Sequence, residues 1–119
     1  MEPLVSQIAF SSLRSLSPEL ADAILDRTGS EEAFFRLSES QLSAVMGFAN
    51  RLFSQKVRDE ALEKARSEAD FVESNSIRAI YFRNPDYPHR LLQCDDAPLM
   101  LYMLGDCDLN SRRVVSIVG

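Results

Sequence analysis

Residues 112–119 read RRVVSIVG: two arginines, five residues that are apolar except for one serine, then a glycine. An apolar run this short, bounded by polar residues and glycine, reads as a buried strand. A strand followed at once by glycine is how a phosphate-binding turn begins, because glycine lets the chain turn sharply and lets a ligand approach the backbone. Gly119 is therefore the one candidate ligand-binding position in the chain, at the edge of a site whose remaining parts would lie beyond it.

Upstream, LMLYML (99–104) is apolar throughout, the pattern of a strand buried on both faces, and IRAIYF (77–82) is a further strand candidate. Buried parallel strands need helices on both faces, so the expected sheet is unfinished, and its open edges are expected to pair with a neighbouring molecule or to fray. Between the first two strands, Pro85 and Pro88 forbid helix interior and central strand, and Pro88 can start a short helix carrying Leu91 and Leu92.

The first two thirds of the chain follow a helical period. Leu4, Val5, Ile8, Ala9, Leu13 and Leu16 fall on one face of a first helix. SPEL (17–20) restarts the chain with Ser17 as cap and Pro18 at the first helical position, and Gly29 ends that helix. Ser30 caps a segment carrying Phe34, Phe35 and Leu37. Ser38 and Gln41 stand at capping-box spacing, with Gly47 closing the piece. From Phe48 to about Ser74 the pattern predicts one long helix or two broken near Ser54, with Leu52, Phe53, Val57, Ala61, Leu62, Ala65, Ala69 and Val72 as its apolar stripe. The expected fold class is α+β: a helical module over residues 1–75, then the truncated opening of an α/β domain over 76–119.

The 119 residues suit one modest domain or one and a half small ones, and the 45% hydrophobic and 26% charged content are those of a soluble globular chain. The longest apolar run is far shorter than the roughly 20 residues a bilayer requires, and no signal peptide is visible, so a cytoplasmic protein is expected. The net charge is −5, with eight Lys or Arg against twelve Asp or Glu through residue 70. Nucleic-acid affinity draws largely on cations that displace counterions, so any DNA site must be local or incomplete.

Chemical motifs are scarce. Cys94 and Cys107, with His89 alone to join them, make no zinc pattern. Asp106, Asp108 and Asn110 alternate as in a calcium loop, but Ser111 and Ile117 stand where glycine and glutamate are needed. His89 and Cys94, five residues apart, do not share a helical face, and the adjacent Asp95 and Asp96 point apart. No catalytic residue, metal or cofactor is expected. A helix-hairpin-helix reading of the helical part, in which a glycine-containing turn aims N–H groups at a phosphate, has only Gly47 in its favour.

The stretch from Tyr87 to Gly119 resembles the DNA-processing protein A (DprA/Smf) family. The likeness rests on Tyr87-Pro88, Leu91, the acidic pair before Pro98, the apolar strand ending in Gly105, Leu109-Asn110 and the closing VVSIVG; Ala97 stands where many members have proline. It implies that the chain is an amino-terminal fragment, with a helix-hairpin-helix or SAM-like domain ahead of a Rossmann-like domain. It implies a non-enzymatic single-stranded-DNA binder that helps load the RecA recombinase during natural transformation, with a homodimer formed through the rest of the Rossmann-like domain and no membrane partner. The family continues past the glycine with a small hydroxyl residue and an arginine, so only Gly119 carries over from its DNA pocket. Two other readings stand beside this one: a helical protein–protein interaction module, and part of a nucleotide-binding Rossmann enzyme.

Overall fold

The computed structural model describes residues 3–14, 16–94 and 96–104. The second buried strand, the Asp/Asn-rich loop, Cys107 and Gly119 all lie outside them. The described residues form an α+β fold of five α-helices and a two-stranded antiparallel sheet.

Helix α1 spans Pro3–Ser11 and buries Val5, Ile8, Ala9 and Phe10. The sequence period extends this face to Leu16, but the helix stops at Ser11. At this end two hydroxyls bond carbonyls of the last turn, Ser11 Oγ to Gln7 O at 2.7 Å and Ser12 Oγ to Ala9 O at 2.7 Å. Leu13 and Leu16 are still buried, from the turn after the helix rather than from the helix itself.

Helix α2 (Pro18–Thr28) begins as its cap residues dictate. The Ser17 hydroxyl accepts from Leu20 N, Pro18 occupies the first turn, and Gly29, at φ 99°, closes the helix with its N–H on Leu25 O. Ser30 caps the short α3 (Glu31–Arg36), which delivers Phe34 and Phe35 to the core. In α4 (Glu39–Met46) the capping box is complete: Ser38 Oγ accepts from Gln41 N at 3.1 Å, and the Gln41 side chain accepts from Ser38 N at 2.9 Å. The break near Ser54 is present. A 3-10 turn, Arg51–Phe53, precedes it, and α5 runs from Gln55 to Ser74.

Two residues, Asn75 and Ser76, join α5 to strand β1 (Ile77–Tyr81), and Ser76 takes the left-handed conformation at φ 52°. Strand β2 (Met100–Leu104) pairs with β1 antiparallel, Ile77 opposite Leu104 and Tyr81 opposite Met100. The strands expected to lie parallel were 99–104 and 114–118; the pair that the described residues show is a different one. Its connection holds one short 3-10 helix, His89–Gln93, where a parallel crossover ordinarily needs a full helix.

One continuous buried cluster runs through the described residues. Phe10, Phe34, Phe35 and Phe53 form its aromatic centre, with Phe34 edge-on to Phe10 at 5.3 Å and to Phe35 at 5.1 Å between centroids. Ile80, Tyr81, Leu99, Leu101 and Met103 belong to the same cluster. No described helix is long and apolar enough to cross a membrane.

Candidate nucleic-acid interface

Three places in the described residues bear on a ligand through their polar groups, a glycine turn or a groove. The first is the loop between β1 and β2. Phe82 N donates to Leu99 O at 2.7 Å, adding a rung beyond the strand pair. The chain then folds over itself: Asn84 N donates to Tyr81 O, and the Asn84 side-chain oxygen accepts from Asp86 N at 2.9 Å, an Asx-type turn. Tyr87 comes next, fully buried, with its N–H on Asn84 O and its hydroxyl donating to Pro98 O. Burial pushes the Tyr87 hydroxyl up to about 12, with nearby Cys94 adding to the shift. Tyr87-Pro88 and Pro98 are thus the two ends of one clasp, which fixes the start of β2.

Two cations beside this loop, Arg78 and Arg83, are already engaged. Arg78 pairs with Asp86. The Arg83 guanidinium donates to Asp22 at 2.9 Å and Asp26 at 3.2 Å, and lies 5.8 Å from the Phe82 ring centre. Burial works against the Arg83 charge, but its bonds to the two aspartates outweigh that and raise its pKa. Arg90 and His89 are exposed on the 3-10 helix, and Cys94 and Asp96 are exposed beyond it. His89, Cys94 and Asp96 are therefore surface residues of one loop, and the described residues contain no group of three metal-binding side chains.

The second place is the turn between α4 and α5. Gly47 sits at φ 81°, ψ 8°, and its N–H donates to Ser43 O at 2.9 Å. The carbonyl end of α4 is capped from across the fold by Arg27, which donates to Met46 O at 3.0 Å. Asn50 accepts from Leu52 N at 2.9 Å, and Phe48, 44% exposed, packs against Phe53 with centroids 5.9 Å apart. The hydrogen bonds of this turn run inward, to its own helices.

A groove of about 500 Å³ is the third. It lies between the α1–α2 turn and the segment leading into β2, with Leu13, Leu16, Ala97, Pro98 and Leu99 as its apolar wall and Asp96 at its edge. An aspartate at the rim disfavours a phosphate there.

One residue was not foreseen. Arg58, in the first turns of α5, is wholly buried. Its Nη1 donates to Phe34 O at 2.8 Å and Leu37 O at 2.6 Å, its Nε donates to Phe53 O at 3.1 Å, and its guanidinium lies 5.8 Å from the Phe34 ring centre. Burial lowers its pKa, against the pull of Asp59 and Glu39. It collects carbonyls from the end of α3 and from the 3-10 turn, so its role is to assemble helices. The available signal was its spacing, since 58, 61, 65, 69 and 72 form one helical row.

Comparison with known proteins adds a sequence match. Residues 78–119 match the family model of DNA recombination-mediator protein A, about a third of the chain, from the second residue of β1 onward. No curated protein and no solved structure matches the chain.

Proposed function

We propose that this chain, whose residues 78–119 match the DNA recombination-mediator protein A family, acts in DNA recombination by holding single-stranded DNA for a RecA-type recombinase. The family match carries this reading. It is supported by the Tyr87–Pro98 clasp, which gives a structural reason for a tyrosine-proline pair and a downstream proline in the matched segment. In this reading the protein is a non-enzymatic mediator, cytoplasmic and active in natural transformation. The matched segment opens a Rossmann-like domain, Gly119 stands at the edge of the DNA site, and dimerisation uses the same domain.

The helices contribute scaffold in this reading rather than phosphate contacts. The Gly47 turn bonds to its own helices, and Arg27 and Arg58 are spent on the protein itself. With a net charge of −5, the chain lacks the cation surplus from which non-specific affinity is built.

The test is nuclear magnetic resonance titration of the chain with a short single-stranded oligonucleotide at low salt, alongside fluorescence anisotropy at physiological salt. Weak binding is expected, with shift changes concentrated in residues 105–119. Changes centred on the Gly47 turn would move the DNA contact to the helices, and tight binding at physiological salt would contradict the reading that these residues lack the cations to hold DNA firmly.

A further inference from the structure

The sequence pattern changes sharply at residues 74–77, where a helical module would end and a second domain begin. We infer that this is not a folding boundary: the β1–β2 hairpin is the closing piece of the helical core, and the two open and close as one unit.

Each part needs the other. A two-stranded antiparallel sheet is at best marginally stable alone in water. Among the described residues, its inward side chains face no second sheet; they enter the cluster that holds Phe10, Phe34 and Phe53. On β2, Leu101 and Met103 are about 1% exposed, and so is Ile80, directly opposite Leu101 on β1. Strand β2 packs against α1 and β1 packs against α5, so the hairpin covers the two helices that themselves pack together. Without it, an apolar flank of that helix pair would face water.

Polar contacts at the rim set the seating. The Tyr81 hydroxyl donates to Glu31 at 3.0 Å from a ring otherwise buried, and Arg83 reaches Asp22 and Asp26 on α2. A separable domain joined by a flexible linker would carry few such contacts. Anything gripping residues 78–104 therefore also steadies the helices.

Native-state hydrogen exchange on the full chain tests this, comparing the parent with Ile80→Val and Leu101→Ala. One unit predicts that Ile80→Val speeds exchange of the slowest amides in α1, α2, α5, β1 and β2 by a common factor of about two to ten. Acceleration confined to the hairpin, with the helices unchanged, would overturn the inference. Leu101→Ala should accelerate all of them far more, or abolish helical circular dichroism if it cannot fold. Retention of full helical signal with a lost hairpin would likewise overturn it.

Discussion

A guanidinium taken out of water costs several kcal/mol unless its donors are met. At Arg58 they are met by three backbone carbonyls and the Gln55 side chain. Arg58→Ala would strand those carbonyls and leave a cavity, so a loss of about 3 kcal/mol in urea unfolding is expected. Arg58→Lys should recover only part of it, since one ammonium cannot span the same fork of acceptors. Ser76 gives the opposite sign. Its φ of 52° strains any side chain, so Ser76→Gly should gain about 0.5 kcal/mol in the same measurement, the relief slightly exceeding glycine's entropy cost. Tyr87 and Tyr102 supply a pH signature. Burial raises both hydroxyls to about 12, above the ordinary value near 10. The folded protein holds these protons more tightly than the unfolded chain, so their contribution is complete below pH 10 and is lost as pH rises from about 10 to 12. Urea midpoints should fall across that window, and less steeply in Tyr87→Phe.

Among the elements, those with local causes were legible beforehand. Ser17, Ser30, Ser38 with Gln41, Gly29 and Gly47 mark helix ends in the sequence because capping is settled within four residues. Ser38→Ala should cost about 1 kcal/mol, measured by thermal unfolding. Gly47→Ala should cost a similar amount through backbone strain alone, because a Cβ there meets no neighbour within 4 Å. What periodicity could not supply was anything decided at a distance. Leu13 and Leu16 keep the helical period although the helix has ended, since burial, not helicity, sets their pattern. Strand direction has no signature in an apolar run, and the antiparallel pairing of β1 with β2 became visible only in the fold. The spacing of Arg58 put it on the apolar row of α5, but nothing local announces that α3 will bring its carbonyls alongside.

At the scale of the whole molecule, the sequence carried the α+β class and the family likeness of the last third, while the candidate Gly119 falls outside the described residues. The continuous core was hidden for the same reason as Arg58. A change of period at 74–77 marks a change of element, and whether the cores on either side merge depends on how α1, α5 and the hairpin meet.

The two-residue joint between α5 and β1 also constrains how this chain can vary in length. Adding one residue to a helix rotates the succeeding chain by about 100°, and shifting a strand by one position exchanges its faces. An extra residue in this joint would either lengthen α5 or shift β1 by one position, and either way turn the buried side chains of β1 from the cluster they enter. Natural length variation should therefore spare this joint and collect in exposed stretches whose backbone carries no such coupling.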